Sequence, residues 1–181
     1  MRPHFSQITI IGTGFIGGSI GLAAKSTGLV DVVVGTDMDD RAIKQALAVR
    51  AIDRGQTNLS RAVKGSSLVI LASPVETFEE IVRSTIHVLE RDAILSDVGS
   101  VKGQMVMNID ALLPPHRYFV GTHPIAGSEK SSAAASRADL FNGKHCVLTP
   151  TTATNANALN MIRSFWESIG SIVTMMDPLL H

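Results

Sequence analysis

The sequence has little that would suit an oxidising compartment, a membrane or a polyanionic partner. Its 181 residues include one cysteine, Cys146, so an intrachain disulfide is excluded and a reducing compartment fits. The 16 basic and 16 acidic residues cancel without long runs of either sign, which gives no support for a nucleic-acid or anionic-membrane partner. No stretch approaches the roughly 18 apolar residues of a membrane span. Residues 1–7 lack the apolar segment of a signal peptide. We therefore expect a soluble, cytoplasmic protein.

The remaining composition is that of an ordinary globular protein. Hydrophobic residues make up 45% and charged residues 18%, which provides for a sizeable core. The length favours one domain, and we find no repeat, low-complexity tract or linker. We predict a single domain over residues 1–181. Cys146 lies in the apolar run 145–148, where it is expected to be a small buried hydrophobe.

Short β-branched runs alternate with helical patterns along most of the chain. This alternation predicts an α/β fold with a mainly parallel, doubly wound sheet of the Rossmann type. Beyond residue 124 the rhythm changes to a long loop with at most one helix, before a last strand–helix–strand unit whose helix Thr154 is expected to cap. The predicted strands are 8–11, 32–35, 68–72, 93–96, 118–121, 144–148 and 171–176, and the clearest helices are 14–25, 40–49 and 103–113.

A glycine-rich turn, GTGFIG at residues 12–17, follows the first predicted strand and opens the first helix. This is the context that a dinucleotide-binding GxGxxG motif requires. Gly12 would allow the tight turn, Gly14 would let the backbone approach a pyrophosphate, and Gly17 would let helix pack on strand. The helix N-terminus would attract the phosphates. We predict that the cofactor is bound by Gly12, Gly14, Phe15, Ile16 and Gly17; a purely structural turn is the alternative.

An acidic residue, Asp37, ends the second predicted strand about twenty residues beyond the glycines. A carboxylate there would accept hydrogen bonds from the ribose hydroxyls and repel a 2′-phosphate, so NAD is predicted in preference to NADP. Arg41 leaves a small opening for NADP. The alternative is that Asp37 only caps the next helix, although Asp39 and Asp40 could do so equally well. No metal-binding residues are predicted.

Three further strands end in polar segments, at the edge where open α/β sheets bind ligands. The first ends in SPV at 73–75, and we predict that Ser73 and Pro74 contact the cofactor. The others end in DVGSVK at 97–102 and THPIAGSE at 122–129. His123 is the histidine expected to face the cofactor, although a lone histidine at a strand end is often structural. Most of the others are interpreted as surface or helix residues: His4, His87, His116, His145 and His181.

Four segments resemble the prephenate/arogenate dehydrogenase family of tyrosine biosynthesis: GTGFIGGSIGLAAK, SDVGSVKG, GTHPIAGSEKSS and LFNGKHCVLTP. The resemblance runs from about Ile8 to the chain end and implies a 6-phosphogluconate-dehydrogenase-like fold. It also implies an NAD(P)-dependent oxidation of the ring alcohol of prephenate or arogenate, with loss of carbon dioxide and aromatisation.

The resemblance implies roles for three residues. His123 matches the catalytic histidine that accepts the hydroxyl proton. Ser100 matches the serine that orients this histidine and touches the nicotinamide side, and Glu129 matches an acidic residue at the substrate pocket. The chemistry agrees, since alcohol oxidation needs a neutral base and imidazole has a pKa near ~6.5. Ser100 could instead only cap a helix, and Glu129 could be solvated.

Members of the family continue into a helical C-terminal domain, which we expect to be absent from these 181 residues. That domain supplies basic residues for the substrate carboxylates and most of the homodimer interface. We therefore expect this chain alone to bind NAD, to turn over substrate poorly and to be mainly monomeric. His181 resembles a histidine at the joint between the two domains. The alternatives are a non-catalytic NAD-binding module and a related dehydrogenase of another hydroxy acid.

Overall fold

A computed structural model of the chain describes residues 3–127 and 132–181. The strands are β1 (Phe5–Ile11), β2 (Val30–Thr36), β3 (Arg54–Gly55), β4 (Leu68–Leu71), β5 (Ile94–Asp97), β6 (Tyr118–Pro124), β7 (His145–Thr149) and β8 (Ile172–Met175). The helices are α1 (Phe15–Ser26), α2 (Asp40–Ala48), α3 (Leu59–Val63), α4 (Phe78–Thr85), α5 (Gln104–Leu112) and α6 (Ala156–Ser168), and short 3₁₀ turns cover 75–77, 86–88 and 133–135.

The strands form one sheet in the order β3-β2-β1-β4-β5-β6-β7-β8. From β3 across to β6 every neighbouring pair is parallel. The chain moves outward from β1 through β2 and β3, then returns to β4 on the other side of β1, as in a doubly wound sheet. Among the strands of the described residues, only the β6–β7 pair is antiparallel, and β8 runs parallel to β7. The predicted fold class is confirmed.

The central strands are buried on both faces, as expected where helices cover a parallel sheet. Successive residues of β4 pack into different cores: Leu68 and Ile70 join the cluster under α1 and α6, whereas Val69 and Leu71 join the cluster under α4 and α5. Cys146 on β7 is fully buried, which confirms its expected place in the core. In the described part of the chain no helix is long and apolar enough to cross a membrane.

Two local predictions need correction. Thr154 does not cap α6; the cap is Asn155, whose side chain accepts hydrogen bonds from the amides of Asn157 and Ala158. The Thr154 hydroxyl instead accepts a hydrogen bond from the Thr151 amide, which closes the preceding turn. The second correction concerns β6, which continues through Pro124 because β7 pairs with it. His123 therefore lies within a strand rather than beyond its end.

Candidate active site

The turn between β1 and α1 passes very close to the end of β4. Gly12 has a φ of +97°, and a Cβ there would lie 2.5 Å from the carbonyl carbon of Ala72. A side chain is therefore excluded both by backbone conformation and by space. A Cβ on Gly17 would lie 2.0 Å from the carbonyl oxygen of Gly12, so α1 can cross this turn closely only because Gly17 has no side chain.

The N-terminus of α1 offers backbone amides. The first amides of a helix have no partner within it, and Gly14, the N-cap, provides no side chain to accept from them. The side chain of Phe15 is buried in the core, so Phe15 could contact a ligand here only through its backbone. Ile16 is half-buried. Free amides together with the helix dipole make this a place for a phosphate-sized anion.

Asp37 directly follows β2 and contacts the glycine turn. One carboxylate oxygen accepts hydrogen bonds from the Thr13 amide at 2.8 Å and the Thr13 hydroxyl at 3.3 Å. The other oxygen accepts from the Asp39 amide at 3.1 Å. The N-cap of α2 is Asp39, which accepts from the Arg41 amide. Asp37 is therefore tied to the turn and does not cap α2.

Ser73 and Pro74 lie beside the same turn, at the end of β4. The position of a Cβ on Gly12 is only 2.6 Å from the Ser73 amide nitrogen. The Ser73 hydroxyl is 2.8 Å from the hydroxyl of Thr77, which donates to the Pro74 carbonyl. These bonds fix the start of the 3₁₀ turn at 75–77.

The strand order sets these groups in a row. Strands β2, β1, β4, β5 and β6 are consecutive neighbours and parallel. Their carboxyl ends carry, in the same order, Asp37, the glycine turn 12–17, Ser73, Ser100 and His123. From β1 to β6 there are three strand spacings, roughly 14 Å. A ligand that bridges the row must therefore be extended.

The end of β5 holds a buried ion pair that was not predicted from the sequence. The Lys102 ammonium lies 2.5 Å from Asp97 Oδ2 and donates to the Gly99 carbonyl at 2.7 Å, and both charged side chains are fully buried. Burial raises the pKa of Asp97, while the nearby Lys102 ammonium opposes the rise. Burial lowers the pKa of Lys102, and the Asp97 carboxylate opposes the fall.

Asp97 also connects the turn after β5 to β6. It accepts hydrogen bonds from the Gly99 amide at 2.8 Å and from the Thr122 amide at 3.0 Å. The pair thus fixes the turn that carries Ser100 relative to the strand that carries His123. A usable signal was present in the sequence: opposite charges five residues apart, flanking a Gly-Ser turn after a buried strand.

Ser100 is exposed at the tip of this turn. Across residues 3–127 and 132–181 it forms no hydrogen bond with His123, so its role toward that ring stays a prediction. Glu129 lies outside the described residues, and its predicted place at a substrate pocket also stays a prediction.

His123 is half-buried, and its ring contacts His181 rather than Ser100. Its Nδ1 lies 3.0 Å from Nε2 of His181, and the two rings meet edge to face with centroids 5.0 Å apart. Burial lowers the pKa of His123, and the neighbouring His181 and Lys102 lower it further. The ring is therefore neutral at neutral pH, as a general base must be.

His181 is thus an exception among the five other histidines, most of which were interpreted as surface or helix residues. No local pattern marks it, because 58 residues separate it from His123. A turn holds it in place: the amides of Leu180 and His181 donate to the Asp177 carbonyl. The carbonyl of Pro178 accepts from the Gly103 amide at 2.8 Å, which ties the segment to the start of α5.

Known proteins share this arrangement of strands and helices. Residues 20–175 match the family model described as the nucleotide-binding domain of prephenate dehydrogenase. The chain is 35% identical to the prephenate dehydrogenase of Bacillus subtilis over all of its own length and 49% of that protein.

Two solved structures superpose closely. Prephenate dehydrogenase from Aquifex aeolicus, in complex with hydroxyphenyl propionate and NAD+, has a TM-score of 0.91 and 36% identity, covering 97% of this chain and 61% of that one. Arogenate dehydrogenase from Synechocystis has a TM-score of 0.87 and 26% identity, covering 95% and 60%. The chain spans about half to three fifths of the length of these relatives. It belongs to the prephenate dehydrogenase family, whose nucleotide-binding domain it matches.

Proposed function

We propose that this chain is the NAD-binding and proton-accepting part of a dehydrogenase that oxidises and decarboxylates prephenate or arogenate. One observation carries the proposal. A turn suited to a pyrophosphate and a neutral histidine lie in one row at the carboxyl edge of a sheet with this family's fold. Residues 1–181 then act as a single dinucleotide-binding domain.

The described residues fit the cofactor. Gly12 and Gly17 let the turn pack tightly against the end of β4 and let α1 cross it closely, and the free amides at the start of α1 would hold the pyrophosphate. The Asp37 carboxylate would accept hydrogen bonds from the adenosine ribose hydroxyls. Ser73, Pro74 and Ser100 would hold the nicotinamide half. When bound, NAD supplies the acceptor for a hydride.

Asp37 also favours NAD over NADP. A 2′-phosphate on the ribose would stand against its carboxylate, and like charges at such short range repel strongly. Arg41 is the residue that could offset this repulsion, since it is two residues from the Asp39 cap and exposed.

The chemistry requires His123 to take one proton. The ring of His123 would take the proton of the substrate hydroxyl as the alcohol is oxidised to a ketone. When the ring carboxylate leaves as carbon dioxide, the electrons of the broken C–C bond would complete the aromatic ring and leave a phenolate, which would regain the proton held by His123. Because burial and two neighbouring basic groups lower its pKa, His123 is ready to accept this proton at neutral pH.

The test combines cofactor binding with turnover. NAD should bind this chain more tightly than NADP in calorimetry. Formation of reduced cofactor from prephenate and from arogenate should be followed in this chain and in a longer gene product, should the reading frame extend beyond His181. In whichever form is active, His123→Asn should lower kcat roughly 100- to 10,000-fold and leave NAD affinity unchanged. NAD binding without turnover in any form would instead indicate a non-catalytic nucleotide-binding module.

A further inference from the structure

The contact between His123 and His181 constrains where protons can sit. A hydrogen bond between two neutral imidazoles needs one nitrogen that carries a proton and one that does not. The atoms that meet are Nδ1 of His123 and Nε2 of His181, 3.0 Å apart. If His123 donates, its own Nε2 is unprotonated. If His181 donates, Nε2 of His123 carries the proton and cannot act as a base.

We propose that His181 is a positioning residue that accepts a hydrogen bond from Nδ1–H of His123 and so keeps Nε2 of His123 free to take the substrate proton. The inference rests on the proposed function, since only a base needs a free nitrogen. It extends that function by assigning the nitrogen that reacts and the residue that selects it.

Separate parts of the fold hold the two rings. The backbone of His123 is paired with Val147 in the β6–β7 ladder. His181 ends the turn that begins at Asp177 and is tied to Gly103 at the start of α5. The backbone of each histidine is therefore held by its own hydrogen bonds, and this fixes the relative position of the two rings as a catalytic site requires.

The charges around the pair disfavour a second proton. Toward His123 face His181 from the C-terminal turn and Lys102 from the turn after β5; Asp97 lies behind Lys102 and is paired with it. On β7, opposite Pro124, the buried Cys146 thiol stays neutral because burial raises its pKa. If both imidazoles were protonated, two donors would meet at 3.0 Å beside an ammonium group. Burial lowers the pKa values of both histidines, and the Lys102 ammonium lowers both further.

The tautomer can be read directly. The ¹⁵N chemical shifts of imidazole nitrogens distinguish Nδ1–H from Nε2–H, and the His123 signal is assigned by its loss in His123→Asn. In the unmodified chain at neutral pH, without cofactor, Nδ1–H should predominate, and the ratio of Nδ1–H to Nε2–H should be roughly three- to tenfold higher than in His181→Phe, which is the effect of one neutral hydrogen bond.

Two variants separate hydrogen bonding from ring packing. In His181→Phe the ring remains but the acceptor is gone, so the tautomer ratio should move to that of a free imidazole. In His181→Gln an acceptor oxygen is retained, and the Nδ1–H preference should return. Retention of the preference in His181→Phe together with its loss in His181→Gln would show that the ring itself, rather than its acceptor nitrogen, orients His123, and this would overturn the proposal.

The control is His116→Asn, a change in an exposed histidine that contacts Arg91. It should leave the His123 signals unchanged. A predominant Nε2–H tautomer in the unmodified chain, or an unchanged ratio in His181→Phe, also overturns the role of His181. Because these spectra need neither cofactor nor substrate, that failure is distinct from a failure of the proposed function, which the NAD titration and turnover assays report.

Discussion

The two ends of the proposed ligand-binding edge are built in different ways. At β1 and β2 the features are made by backbone and by absent side chains: Gly12, Gly17 and the amides of α1, with Asp37 added. At β5 and β6 they are made by titratable side chains: the buried pair of Asp97 and Lys102, and His123 with His181, which meet across 58 residues of sequence. The first end follows from a contiguous motif. The second depends on how the whole sheet is assembled.

Two lysine–aspartate pairs, one in each region, differ in how far their side chains are exposed to water. Lys25 and Asp53, beside β2, meet at 2.5 Å with side chains 29% and 34% exposed. Lys102 and Asp97 meet at the same distance with no exposure at all. Water can solvate either member of the first pair if its partner is lost. It cannot reach the second pair, so each of those charges depends on the other.

The largest effect should come from breaking the buried pair. Lys102→Met leaves the Asp97 carboxylate without its cation in a dry site, and should lower the free energy of unfolding by about 3–5 kcal/mol. Lys25→Met is the matched control and should cost at most about 1 kcal/mol. Both are measured by urea denaturation. Equal losses in the two variants would mean that burial does not distinguish the pairs.

A smaller effect, on binding rather than stability, should follow from Asp37→Ser. Loss of hydrogen bonds to a charged group should weaken NAD by about 1.5–3 kcal/mol in calorimetry. Asp39→Ser is the control, because serine also caps helices and Asp39 faces α2. If NAD and NADP bind the unmodified chain equally well, Asp37 does not select the cofactor.

Gly17→Ala tests whether the nucleotide end depends on an absent side chain. The new methyl would meet the Gly12 carbonyl oxygen, so α1 must shift, at a cost of about 1–3 kcal/mol of stability. NAD affinity should fall with it. At Gly127 no atom of the described residues lies within 4 Å of a new Cβ, so Gly127→Ala should change stability by less than about 0.5 kcal/mol. A fully stable Gly17→Ala protein would show that α1 does not need this close crossing.

The smallest effect concerns acid stability at the histidine end. The pKa values of His123 and His181 are lower in the folded chain than the ~6.5 of an unfolded one. Between the folded-state and the unfolded-state pKa values, the unfolded chain binds more protons than the folded chain. The free energy of unfolding should therefore fall as pH drops below about 6.5. His181→Phe should flatten this dependence, as measured by urea denaturation at several pH values. A stability that rises on acidification through this range would contradict the lowered pKa values.

Much of the fold was predictable because local patterns determine it. The glycine turn, the buried strands and the helix α2 follow from periodicity and turn chemistry that involve adjacent residues. The two-residue strand β3 and the five-residue helix α3 were missed because such short elements depend on tertiary pairing. The antiparallel pairing of β7 with β6 was also not deduced, since strand direction leaves no mark on composition.

The site was predicted less completely for the same physical reason. His123 was identified from its place after a strand, yet its partner His181 was not, because a contact across 58 residues has no local pattern. Asp97 and Lys102 lay inside a quoted motif, but their burial as a pair depends on β6 and on the turn around them.

The extension of β6 through Pro124 also determines how His123 can move. A base on a loop can open locally, but His123 is paired with Val147, and the Ile125 amide beyond it donates to the His145 carbonyl. Displacing the ring's backbone therefore requires separating β6 from β7, which belongs to the slow, cooperative unfolding of the sheet. In the proposed role of His123 as a base, proton acceptance is accordingly governed by ring rotation and tautomer exchange, while the position of the ring is as long-lived as the folded sheet.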